Sequence, residues 1–218
     1  MLALLLAALL AVGILSGCDS GEDVPEDTGL SDAQAHELLN ARGRSVQHAR
    51  NFDITYLEDD AKLVTDSAGR ELLLIPASGK VPPGHEDAVQ ISVPVKRVMF
   101  ASPTQIGFLG ELENENLYNS IVAVTTEPYQ WTVPQVQERL SSGQIHYIGP
   151  DSWMEGDVEG ILEAAPDFVF TNMSSEAGTA LCGVLDSLGI PYAVVSEERE
   201  TDTAAYMECL KFFGTFYD

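Results

Sequence analysis

Glu111, Glu113, Asp151 and Glu155 are carboxylates of the kind that pass protons to and from a substrate, one as acid and one as base. At a formal charge of −23 the chain is so acidic that carboxylates at these positions carry little information. No Gly-x-Ser-x-Gly turn follows a strand, and no glycine loop is built to cradle phosphate. His36, His48, His85 and His146 are scattered without metal-ligand spacing. Neither an enzyme nor a resident cofactor or metal is therefore expected. Ser102, Tyr129, Trp131 and Asn172 form a more informative set, because each follows a short apolar run that reads as a strand. Together they could line one rim, where aromatics suit a flat, conjugated ligand through stacking and area burial. Trp131 has an alternative use, packing beneath its own loop. Tyr147 and Met154 could meet a haem iron, or could equally be packing.

The elements that must position this rim are clearest at residues 157–172. Val158, Ile161, Leu162 and Ala165 fall at helical spacing and predict one buried stripe, with Glu159 off it and facing water. Pro166 and Asp167 end that helix. Phe168, Val169 and Phe170 then read as a strand buried on both faces, as in a parallel sheet, and Thr171 and Asn172 leave the core at its carboxyl end. Similar short strands at 97–101, 121–124, 146–148 and 192–195 alternate with helices. These include one carrying Val133, Val136 and Leu140 and one carrying Ala177, Leu181, Val184, Leu185 and Leu188. This alternation predicts an α/β fold with a mostly parallel sheet flanked by helices.

Before this region, residues 31–50 read as a helix with Ala35, Leu38 and Leu39 on one face and Ser31 at its cap. Strands at 52–57, 70–75 and 89–93 follow, separated by turn-forming residues, and predict an antiparallel preface. At the other end Tyr206, Leu210, Phe213 and Tyr217 keep helical spacing, and Phe212 and Phe216 add a second apolar strip. So many aromatics on one helix predict something further to cover them. Cys182 and Cys209 read as buried free thiols. From Val98 onward only Arg139, Arg199 and Lys211 are basic, which argues against nucleic acid or anionic lipid as a partner.

The opening residues are almost wholly apolar from Met1 to Leu15 and run into Leu15-Ser16-Gly17-Cys18, which resembles the lipobox of bacterial lipoproteins. No Lys or Arg precedes the apolar run, a departure from the usual signal peptide. The resemblance implies cleavage before Cys18, lipidation of its thiol, and a protein held by lipid alone outside the cytoplasm, on the outer face of the cytoplasmic membrane or in the periplasm. Asp19, Glu22, Asp23, Glu26 and Asp27 then make a solvated tether.

Several pieces in order resemble the substrate-binding proteins of ABC importers for iron complexes, haem and cobalamin, whose two lobes are joined by one long helix. They are Pro94-Val95-Lys96-Arg97-Val98 leading to Ser102-Pro103, Glu138-Arg139-Leu140-Ser141-Ser142-Gly143 leading to Tyr147-Ile148-Gly149, Val158-Glu159-Gly160-Ile161-Leu162 with Pro166-Asp167, and Leu188-Gly189-Ile190-Pro191. Residues 206–214 resemble the start of the connecting helix. The resemblance implies a lipoprotein signal peptide at 1–17, an acidic tether at 18–30, a helix with antiparallel strands at 31–95, a substrate-binding lobe at 96–202, and the beginning of the inter-lobe helix at 203–218, with the second lobe absent. It implies a monomer that binds an iron-siderophore, haem or a corrinoid, with Trp153 facing the ligand and Glu159 meeting an arginine of the permease. A surface lipoprotein that binds a partner protein through the aromatic helix, or a non-functional fragment, is the alternative.

Overall fold

A computed structural model describes residues 45–112 and 115–218. The signal peptide, the tether, Cys18, Glu113 and most of the helix expected at 31–50 lie outside the described residues. Where that helix was expected to continue, residues 45–50 are irregular backbone. Their amides bond to carboxylates rather than to one another: Gln47, His48 and Ala49 donate to Glu208, and Arg50 and Asn51 to Glu200.

The preface forms a four-stranded sheet, β1 (Asp53–Tyr56), β2 (Lys62–Thr65), β3 (Glu71–Pro76) and β4 (Val89–Val93), in that order. The first three are antiparallel, with Ile54 opposite Val64 and Val64 opposite Leu72. β4, expected to be antiparallel as well, pairs parallel to β3 with Ile91 opposite Leu74. The connection 77–88 is about the dozen residues that a parallel crossover needs, so the chain returns in the same direction. β2, too short to stand out between the two turns that bracket it, buries Lys62 and Val64.

The second sheet comprises β5 (Val98–Phe100), β6 (Ile121–Val124), β7 (His146–Tyr147), β8 (Phe168–Thr171) and β9 (Tyr192–Val194). All neighbours are parallel and the order is β7-β6-β5-β8-β9. Its helices are α1 (Pro103–Glu111), α2 (Pro134–Ser141), α3 (Pro150–Met154), α4 (Glu159–Ala164), α5 (Glu176–Leu188) and α6 (Thr203–Thr215). The chain is thus α/β, with a mostly parallel sheet between helices and a mixed sheet beside it. Side chains alternate across a strand. Val169 of β8 therefore joins Met99, Trp153, Leu181 and Leu185 on the face covered by α3, α4 and α5. Phe168 and Phe170 point the other way, into a cluster that includes α1, α6 and the inner face of the first sheet.

Two helix expectations need correction. In α4 the buried residues are Ile161 and Ala164, whereas Leu162 and Ala165 are exposed. The helix is shorter and rotated by about one residue, because Ala165 already adopts a left-handed backbone (φ 45°) ahead of Pro166. Arg97 covers this end, donating from Nε and Nη2 to the carbonyls of Ala165 and Ala164. In α6 the aromatics expected to need a further covering are covered by the chain itself. Phe212, Phe213 and Phe216 are fully buried, with Phe216 4.9 Å from Phe168 and Phe213 5.3 Å from Phe108 between ring centres. The Phe212–Phe216 strip meets Phe168 of β8 and Phe52 just before β1, while Phe213 of the other strip packs between Phe108 of α1 and Phe170 of β8. Tyr206, Leu210 and Tyr217 are partly buried against the same cluster. Cys182 and Cys209 are buried free thiols.

Asp66 joins the two sheets. Its buried carboxylate accepts from the amides of Ala68 and Arg70, from the Arg70 guanidinium at 2.7 Å, and from the Val194 amide of edge strand β9 at 2.9 Å. Ser67 and Arg70 add bonds to the Val194 and Tyr192 carbonyls, so the β2–β3 turn occupies what would otherwise be an open sheet edge.

Candidate ligand-binding rim

The parallel sheet fixes where a ligand can sit. From β5 the chain crosses through α1 to β6 on one side, and from β8 it crosses through α5 to β9 on the other. The loops leaving adjacent strands β5 and β8 therefore diverge, and a crevice opens at their carboxyl ends. A cavity of about 330 Å³ lies at this end, lined among others by Thr125, Glu127, Tyr147, Trp153, Asn172 and Gly178. A larger hollow of about 540 Å³ belongs to the first sheet, around Tyr56, Lys62 and Val93. None of the expected site residues lines it, and its one buried cation, Lys62, is paired with Asp218 at 3.3 Å.

Trp153 sits in α3, only 5% exposed, and its indole Nε1 donates to the Ala177 carbonyl at 2.9 Å. That bond ties α3 to the first turn of α5 and fixes the indole as a wall of the cavity. Asn172, half-buried, accepts on Oδ1 from the Ser174 hydroxyl at 2.7 Å and amide at 3.2 Å, which turns the chain sharply after β8. Ser175 caps α5 by accepting from the Gly178 amide. A Cβ on Gly178 would lie 2.3 Å from the Asn172 carbonyl, so only glycine lets α5 approach this turn.

The other expected rim residues divide. Trp131 is 2% exposed, and its Nε1 donates to the Thr126 carbonyl at 3.1 Å. It anchors its loop from below, the packing use, and does not line the cavity. Tyr129, on the same loop, is 81% exposed and stands outside the cavity on the rim. Ser102 lies at the end of β5, at the cap position of α1, and is turned toward Glu197 rather than toward the cavity. Glu159 is exposed at the start of α4 and makes no ion pair among the described residues. Among the carboxylates weighed for catalysis, Glu111, Asp151 and Glu155 are exposed and none lines the cavity. No group of three His, Cys, Asp or Glu side chains among the described residues could hold a metal.

Two carboxylates at this end, Glu127 and Glu197, were missed by the sequence reading. Tyr147 Oη donates to Glu127 Oε1 at 2.6 Å across the cavity mouth. That bond, with some burial and the nearby charges of Glu127 and Asp151, pushes the phenol up to about 12, so in the absence of ligand it stays neutral. The signal available was slight, an acidic residue three positions after the Ile121–Val124 strand. The second is Glu197, after β9. Burial pushes its carboxyl up to about 7; the Glu198 charge adds to this, while its own backbone amide, Gln105 and Ser102 pull the other way. Gln105 is fully buried and donates to the Thr171 carbonyl at 3.2 Å. Nothing in the local pattern marks a glutamate in an Glu197-Glu198-Arg199-Glu200 run as the buried one.

No family model matches the chain, and no curated protein does. Among solved structures the chain is similar to FhuD2 from Staphylococcus aureus with bound ferrioxamine B. Sequence identity is 24% and the TM-score 0.37, over 56% of this chain and 40% of that one. The chain thus spans less than half the length of the protein it matches.

Proposed function

We propose that this protein is the solute-binding component of an importer, holding a small metal chelate against the carboxyl rim of its parallel sheet. The observation that carries the reading is the cavity at the β5/β8 divergence, walled by Trp153 and Asn172 and flanked by the exposed ring of Tyr129. A pre-formed crevice with one buried indole, an exposed aromatic, a few neutral polar groups and the Glu127 carboxylate at its mouth binds a compact conjugated ligand chiefly by area and shape. It holds no arrangement of nucleophile, base and orienting group. Ferric siderophores, haem and corrinoids remain the ligand classes that this rim suits. Glu159 is the residue proposed to meet a permease arginine, where a carboxylate–guanidinium pair would set docking geometry. Cys18 is proposed as the lipid attachment point that holds the protein outside the cytoplasm.

Trp153 and Trp131 are the two tryptophans, so fluorescence separates binding at the rim from changes elsewhere. In a Trp131→Phe variant, titration with a ferric hydroxamate, a ferric catecholate, haem and cobalamin should quench the emission with at least one ligand. In a Trp153→Phe variant the same ligand should quench the remaining emission less. Silence with all four, in protein whose circular dichroism is unchanged, overturns the reading.

A further inference from the structure

We infer that the rim discriminates chelates by charge, favouring a complex that carries a positive group and rejecting anionic ones, with Glu127 as the selecting residue. The inference rests on the ligand-binding reading above and adds the class of ligand. Among the described residues no Lys, Arg or His lines the cavity, and Glu127 is the one charged side chain that does. Tyr147 holds that carboxylate at the mouth through its hydroxyl. Asp151 stands near enough to act on the same phenol. Four basic side chains around the parallel sheet are engaged elsewhere. Arg139 binds Asn119 and the Ile121 carbonyl at the amino end of β6, Arg70 is paired with Asp66, Arg97 caps α4, and Lys211 is paired with Glu208. Arg199 is exposed in the turn after β9, between Glu198 and Glu200, and does not line the cavity.

An anionic chelate entering this cavity would give up hydration and meet no cation in return, which is the unfavourable half of an ion pair. A complex with a pendant ammonium meets the opposite situation. Glu127 offers it a fixed carboxylate, and Tyr129, two residues along the same loop and 81% exposed, offers an aromatic face. Both attractions act at the mouth, outside the apolar wall formed by Trp153. The metal-bearing body and the charged arm of such a ligand would therefore be read by different residues.

The test uses three probes on the chain as it stands: a ferric linear trihydroxamate ending in a primary amine, the same complex with that amine acetylated, and a triply anionic ferric tricatecholate. Calorimetric titration at low salt should give roughly tenfold or tighter binding of the amine over its acetylated form, a ratio that shrinks as salt screens the pair. Glu127→Gln, which keeps an acceptor for Tyr147, should bring the ratio close to one. The tricatecholate should show no binding. Equal affinity for the amine and its acetylated form, or tightest binding of the tricatecholate, overturns the charge inference and leaves the ligand-binding reading standing. Absence of heat and of Trp153 quenching with all three probes defeats both.

Discussion

Replacing Glu197 with Gln isolates the cost of a carboxylate held where water cannot reach it. Glu197 is 6% exposed, its Oε2 has no hydrogen-bond partner, and the Oε1 of neighbouring Gln105 has none either. Two buried acceptors without a donor are a situation that one proton on Glu197 relieves, and burial accordingly raises its pKa to about 7 from an ordinary 4.5. Because the folded value is the higher one, the folded state binds the extra proton. Stability from this group is fully present below the unfolded pKa and declines as pH rises from about 4.5 to about 7, after which it is flat. The size of that decline is about 3 kcal/mol, at 1.36 kcal/mol for each unit of difference. Glutamine has the shape of the neutral acid and cannot ionise, so it avoids the decline. Urea unfolding of parent and Glu197→Gln should therefore coincide within about 0.5 kcal/mol near pH 4 and separate by about 2–3 kcal/mol, variant the more stable, near pH 8. Tyr206 and Cys209 also feel the Glu197 charge, and both are themselves pushed up by burial, so neither titrates within this window. A stability difference of the same size at both pH values would refute the reasoning.

The opposite sign is expected at Glu208. Burial works to raise its pKa, but the amides of Ala49, His48 and Gln47 together with Lys211 hold it down at about 2, so its stabilisation is present above the unfolded pKa near 4.5 and lost as pH falls toward 2. Glu208→Gln should cost about 2 kcal/mol at pH 7 and progressively less under acid, measured by the same denaturation series. Gly178→Ala would force a Cβ against the Asn172 carbonyl; it should cost about 1–3 kcal/mol and weaken chelate binding by displacing the turn after β8. Asp66→Ala should destabilise by about 3 kcal/mol or more, because it leaves Arg70 and the Val194 amide without their shared acceptor, and hydrogen exchange at Val194 should accelerate.

The parallel sheet was legible because β5, β6, β8 and β9 are buried on both faces and so appear as short continuous apolar runs. The direction of β4 was not legible, since side-chain alternation is the same for parallel and antiparallel pairing and only the length of the 77–88 crossover decides it. Counting apolar residues on α6 overstated its exposure, because two strips on one helix can both be buried when a sheet and a second helix meet there. At the rim, Asn172 was placed by its position after a strand, and Trp153 by the resemblance alone. Trp131 occupied an equivalent position and went inward, since nothing in a loop sequence states which of two nearby aromatics is the anchor. Glu127, Tyr147 and Glu197 take their character from partners twenty to ninety residues away, which no local pattern displays.

The hydrogen bonds beneath the rim explain why such a site can be ready before any ligand arrives. The ladder of the parallel sheet continues past the strands: Ile148 donates to Val124, Thr125 to Phe100, Ala101 to Phe170, and Val195 to Thr171. Thr125 adds a hydroxyl bond to the Ala101 carbonyl, and Gln105 crosses from α1 to the Thr171 carbonyl. All five strand ends are thus linked in one arc, with Trp153 and Gly178 locking α3 and α5 against it. Ordering a loop on binding subtracts from affinity, so a rim ordered by its own scaffold keeps more of the contact energy for the ligand. Adjustment is then left to side chains at the mouth, above all the exposed Tyr129, while the backbone of the crevice stays where the sheet holds it. It follows that substitutions inside the arc, such as Gly178→Ala, should weaken every chelate alike, whereas Glu127→Gln should change which chelate is preferred.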